Sequence, residues 1–159
     1  MGAAEYDLAV CIANRPPVPP YERMKALRPL KRGDIERVVA QTGNHWRKIF
    51  NLYAKLGFAL DPAGFSSWQD YRDGLLLSAQ SRQALLFDGL PRRSGCVTIV
   101  SGKTHAEKLG VMAGAAPLQD GFFRQREARL IVSPYFDYRQ LSNARLARLQ
   151  ELVRDCRRG

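Results

Sequence analysis

Residues 96–110 read CVTIVSGKTHAEKLG, and the parsing of this stretch decides the fold. Val97–Val100 is an unbroken run of β-branched residues, the composition of a buried strand. Ser101-Gly102-Lys103-Thr104 follows as a tight turn, and the next residues open a short helix. A phosphate-wrapping loop of the Walker kind needs a glycine five residues before its Gly-Lys. That position is Val97, inside the strand, so the segment is too short to encircle a triphosphate. It reads instead as a strand-turn-helix unit that either holds a single phosphate or simply connects two elements.

Two further runs share the strand signature. Leu8–Ala13 (LAVCIA) is continuously apolar and stops at NRPPVPPY, where four prolines between Asn14 and Tyr21 forbid a further ladder. Ala128–Val132 (ARLIV) is the third. Helical periodicity fills the intervals. Ile35, Val38 and Val39 share a face in GDIERVVAQTG. Trp46, Ile49, Phe50, Tyr53 and Leu56 do so in the next segment, with Gly57 expected to close that helix. Ser66 or Ser67 is expected to cap a helix running through Trp68, Tyr71, Leu75 and Leu76. A last amphipathic helix is expected over Gln140–Cys156, with Arg145, Arg148, Arg154 and Arg157 on its polar side. Gln83–Asp88 (QALLFD) fits strand or helix equally. Strands separated by helices predict one α/β domain over 1–159, three-layered, with a central, mainly parallel sheet of about four strands.

The chain has 159 residues and 45% apolar composition, enough for one real core. Its 25 Lys and Arg outweigh 15 Asp and Glu, giving a net charge of +10 and an isoelectric point near 10.0. Such an excess attracts polyanions, nucleic acid before an anionic membrane surface. No run approaches the ~20 apolar residues of a membrane span, and the N-terminal stretch lacks the basic start of a signal peptide. Cys11, Cys96 and Cys156 are scattered and odd in number, as suits buried thiols in a reducing compartment, here the cytoplasm. With only His45 and His105 beside them, a metal cluster is not expected, and no cofactor is implied.

In open α/β sheets, ligands bind beyond the carboxyl ends of the strands. Asn14–Tyr21, Ser101–Thr104 and Ser133–Arg139 occupy that position. Ser133-Pro134-Tyr135-Phe136-Asp137-Tyr138 places three aromatics in four residues after a proline, either as a plug for the domain edge or as a ligand contact.

These segments resemble, in order, the motifs of the mismatch-specific uracil/thymine DNA glycosylases within the uracil-DNA glycosylase-like superfamily. CIANRPP is similar to their Gly-Ile-Asn-Pro-Gly motif. TGNHWRKIFNLYAKLG looks like their Asn-x-Phe-Trp helix. IVSGK resembles the apolar-Asn-Gly-Lys segment, and ARLIVSPYFDYRQLSN occupies the place of the last motif. The resemblance spans Leu8–Asn143 and implies a DNA-binding protein that flips out a damaged or mismatched base and hydrolyses its N-glycosidic bond. It carries Asn14 over as the water-positioning residue. Ser101, Gly102, Lys103 and Thr104 would hold backbone phosphate, Ser133 and Pro134 would pinch another, and Tyr135 with Phe136 would wedge into the emptied stack. Arg139 would add non-specific attraction, and Tyr21 is the candidate stacking ring. The motifs also depart from the family. Arg15-Pro16 replaces Pro-Gly, His45 stands between Asn44 and Trp46 without the family's aromatic, and the last loop has no histidine. A retained scaffold without catalysis therefore stays open. So do two other classes: a small-molecule or nucleotide phosphate-binding protein, and a basic protein-interaction module.

Overall fold

The computed structural model describes every residue, Met1–Gly159. Eleven regular elements follow one another: β1 (Leu8–Cys11), α1 (Asp34–Thr42), α2 (Asn44–Leu60), α3 (Trp68–Gly74), β2 (Gln83–Leu86), β3 (Val97–Ser101), α4 (Lys103–Lys108), β4 (Ala116–Pro117), β5 (Phe123–Gln125), β6 (Leu130–Ser133) and α5 (Asn143–Arg158). The strands form one sheet in the order β2-β1-β3-β6-β5-β4. The first four run parallel, with Leu8 opposite Gln83 and Val97, and Ser101 opposite Ser133. β5 runs antiparallel to β6, and β4 runs antiparallel to β5.

The α/β expectation therefore holds, but the sheet is mixed and has six strands rather than about four. The additional pair escapes periodicity because β4 is two exposed residues and β5 three half-buried ones. Outside β2, residues 1–3 run alongside: Leu85 donates its N–H to the Met1 carbonyl (2.7 Å) and Ala3 to that of Gln83 (2.9 Å). That contact covers an edge which would otherwise offer open backbone groups.

Alternation along the strands divides the core unequally. Leu8, Val10, Leu85, Val97, Ile99 and Ile131 point into a cluster of 31 buried residues, built with Ile49, Phe50, Tyr53 and Leu56 of α2 and Leu146, Leu149, Leu152 and Val153 of α5. On the opposite face Cys11, Val100, Leu130 and Val132 meet Ala106 of α4 and Val111 in a cluster of only six. The two-helix face carries most of the hydrophobic stabilisation, and the α4 face is thin. Tyr53 joins the layers as well: its fully buried hydroxyl donates towards the carbonyls of Ala84 (2.9 Å) and Leu8 (3.3 Å).

Three helix boundaries differ from the expectation for physical reasons. Gly57 lies inside α2 instead of ending it. A Cβ there would stand 2.6 Å from both the Tyr71 hydroxyl and the Gln83 amide nitrogen, so the glycine serves a close approach. α3 starts as expected, with Ser67 Oγ accepting the Asp70 N–H (3.1 Å), but stops at Gly74 before Leu75 and Leu76. α5 begins at Asn143 rather than Gln140, because Ser142 caps it. No helix is long and apolar enough to cross a membrane.

Candidate functional site

Parallel pairing brings the carboxyl ends of β1, β3 and β6 to one edge of the sheet, and the segments after them converge there. Beyond β1 the chain passes the buried Ile12 and exposes Asn14. Arg15 folds back. It donates to the carbonyl oxygens of Met24 (2.6 Å) and Tyr21 (3.4 Å), pairs with Asp88, and lies 5.4 Å over the Phe87 ring. Beyond β3, Gly102 adopts φ 94°, a left-handed value that strains any side-chain-bearing residue, and donates its N–H to the Ser133 carbonyl (2.9 Å). Beyond β6, Tyr135 crosses towards Asn14.

The centre of the arrangement is a chain of three side chains. Asn14 Nδ2 donates to the Tyr135 hydroxyl (3.2 Å), which also lies 3.1 Å from His45 Nε2. The Tyr135 and His45 rings stack at 5.9 Å and 19°. An amide N–H fills one acceptor position on the phenol oxygen, so its own proton can point to the imidazole. Burial raises the Tyr135 pKa, with the Asn14 bond opposing and Asp137 reinforcing it, and the phenol stays protonated at neutral pH. Asn14 and His45 face a cleft of about 560 Å³ whose walls include Arg15, Trp46, Phe87 and Asp88. The half-buried Phe87 beside an amide, an imidazole and a fixed guanidinium suits a flat, polar heterocycle.

Not every residue expected at this edge presents itself to it. Ser101 is buried, and its Oγ accepts the Phe136 N–H (3.1 Å). Ser133 is buried too, and its hydroxyl donates to the Pro134 carbonyl (2.9 Å). Both hydroxyls hold the loops rather than facing outward. Phe136 is 1% exposed and belongs to the core, leaving Tyr135 without a partner as a wedge. Tyr21 is likewise core, 3% exposed, with its hydroxyl 3.5 Å from an Arg37 nitrogen, so its ring offers no free face. Lys103 is exposed, but its ammonium sits 5.6 Å over the Phe123 ring, towards the α4 side. Thr104 and Arg139 are exposed and Pro134 is half-buried. Asp137 accepts the Arg139 N–H (2.9 Å) and pairs with Lys48 (3.3 Å), and these contacts hold its pKa below the usual value.

From this edge a strip that periodicity alone does not reveal runs down α2 towards the amino ends of the strands. Lys48 and Lys55 of α2 lie 5.8 and 5.3 Å from the Tyr138 ring, and Lys55 is also 5.0 Å from Trp68. Asn51 donates to the Tyr138 hydroxyl (2.9 Å) and accepts from Arg72 (2.8 Å), whose guanidinium in turn lies 5.5 Å over Trp68. Lys48 and Lys55 are seven residues apart and therefore share a helix face with His45, which was the available signal. The aromatic partners come from elsewhere in the chain and had none.

The chain belongs to the DUF6942 family, whose model, described as a family of unknown function, matches residues 1–154. Comparison with curated proteins and with solved structures gave no match.

Proposed function

We propose that this member of the DUF6942 family binds nucleic acid along the carboxyl edge of its parallel strands and receives an extruded base in the cleft beside Asn14. The Asn14–Tyr135–His45 chain at the mouth of that cleft carries the reading, because it unites three remote segments around a pocket suited to a heterocycle. The four-stranded parallel core is in keeping with the uracil-DNA glycosylase-like architecture that the motifs resemble. The Lys48–Tyr138–Lys55–Trp68 strip supplies cations and aromatic faces of the type used to track a single strand.

Base excision is the reaction this reading assigns. Water adds to the anomeric carbon and gives up a proton, the N-glycosidic bond breaks, and the base leaves with the electron pair and takes up a proton. Asn14 Oδ1 would orient the water, while Asn14 Nδ2 stays on Tyr135. His45, at the cleft wall and oriented by Tyr135, would relay the water's proton to the departing base.

Fluorescence anisotropy against a labelled single strand tests binding, and chromatography of bases freed from uracil-, thymine- or hypoxanthine-containing DNA tests excision. Salt-dependent binding with base release, lost in Asn14→Ala at retained affinity, supports both. Binding without release leaves a nucleic-acid-binding scaffold. Failure of both removes the proposal. A free nucleotide or similar small phosphate ester is the other reading, and thermal stabilisation by mononucleotides with none from DNA would favour it.

A further inference from the structure

At the opposite end of the molecule, where β6 begins and α5 finishes, lies a second cavity of about 550 Å³, lined by Arg124, Arg126, Arg129 and Arg158 with Glu127 and Asp155. Its charge is not an accident of one element. Arg124 projects from β5, Arg126 and Arg129 from the turn into β6, and Arg158 from the last turn of α5. On β5, Phe123 packs with the α4-side cluster and Gln125 donates to the Val111 carbonyl on that side. The two-residue period of a strand therefore sends Arg124 to the α5 side, where it meets the Cys156 thiol.

Asp155 takes up the charge of Arg158, but Glu127 forms no ion pair, so Arg124, Arg126 and Arg129 are left without a carboxylate partner. The dipole at the end of α5 favours Arg158 locally but does not explain a guanidinium planted on a sheet. Arg129 places one donor on the Gly95 carbonyl (3.3 Å). Arg124 has its Nε buried without a hydrogen-bond partner, although a buried donor is normally satisfied. Converging guanidinium groups repel one another, and a multivalent oxyanion between them relieves that repulsion while filling the open donors in bidentate fashion.

We propose that this pocket binds a phosphate-bearing ligand through Arg124, Arg126 and Arg129, as a site separate from the Asn14 cleft. Its volume leaves room for an organic group beyond the phosphate. Isothermal titration calorimetry with inorganic pyrophosphate, at ionic strength matched with chloride, tests it. Saturable binding is expected, weakened about tenfold by Arg126→Gln, the scale of one charge-assisted hydrogen bond. Arg126 is exposed, so that variant keeps the fold. Arg124→Gln should weaken binding at least as much, with folding checked by circular dichroism. Arg23→Gln removes an exposed charge elsewhere and should change nothing. If a short DNA strand displaces the pyrophosphate, and does so less well with Arg126→Gln, the same chemistry serves a backbone phosphate; if it does not, a free phosphate ester is the ligand. Absence of saturable heat, or equal weakening by Arg23→Gln and Arg126→Gln, overturns the site. Neither result depends on the Asn14 cleft.

Discussion

Replacing Gly57 by alanine sets two rules against each other. Alanine in a helix interior is favoured over glycine by ~1 kcal/mol, so helix propensity alone predicts a more stable protein. The structure predicts the reverse. The new Cβ would lie 2.6 Å from the Tyr71 hydroxyl and from the Gln83 amide nitrogen, atoms joined to each other by a 2.7 Å hydrogen bond. Tyr71 is 3% exposed and Gln83 4%, so neither can swing into water to make room. Overpacking of this kind costs ~1–3 kcal/mol, and parting two buried polar partners costs a similar ~1–3 kcal/mol. Against the ~1 kcal/mol of propensity, these penalties leave a net destabilisation of about 1–5 kcal/mol. At roughly 2–4 °C per kcal/mol for a chain of this size, Tm should fall by about 2–20 °C in a calorimetric melt. Gly57→Ala combined with Tyr71→Phe should be less destabilised than the sum of the single variants, because both act on the same contact. An unchanged or raised Tm for Gly57→Ala would refute the close-approach reading and restore Gly57 to a mere break in helix propensity.

Tyr53→Phe removes the hydroxyl that reaches the Ala84 and Leu8 carbonyls, and urea titration should show a loss of about 1–2 kcal/mol. The His105 pKa is lowered by burial and then by Lys108, and its Nε2 is buried without a partner. The folded state thus disfavours the charged imidazole, and stability falls as pH drops below 6.5, the unfolded value. Urea midpoints at pH 7.5 and 5.5 should separate more for the wild type than for His105→Gln. Burial pushes the Cys11 thiol up to about 12 and that of Cys96 to about 11. Both should resist iodoacetamide in the native protein at neutral pH and react once urea unfolds it, as intact-mass spectrometry would read.

The three long parallel strands were legible because burial on both faces demands continuous apolar runs, as in Leu8–Cys11, Val97–Val100 and Leu130–Val132. The apolar face of α2 was legible for the corresponding reason. β4 and β5 were not, since two exposed or three half-buried residues carry no period and exist only through pairing, β5 with β6 and β4 with β5. The role of Gly57 depends on Tyr71 and Gln83, which reach it from other elements. The same division runs through the site. Asn14 and Tyr135 could be expected together because each follows a parallel strand. His45 could not, because its place beside Tyr135 depends on how α2 lies across the sheet. Tyr21 stood in a proline-rich loop that reads as exposed, yet the loop tucks its ring into the core. Ser101 and Ser133 had the right chemistry for a phosphate, and nothing local told that neighbouring backbone would occupy them.

Backbone amide chemical shifts during titration with a short single-stranded DNA test the central claim most directly. The largest perturbations should fall on Asn14, His45, Gly102 and Tyr135 and extend along Lys48–Lys55, weakening as salt is raised. Perturbations confined to Arg124–Arg129 and the end of α5, or none at all, would contradict it.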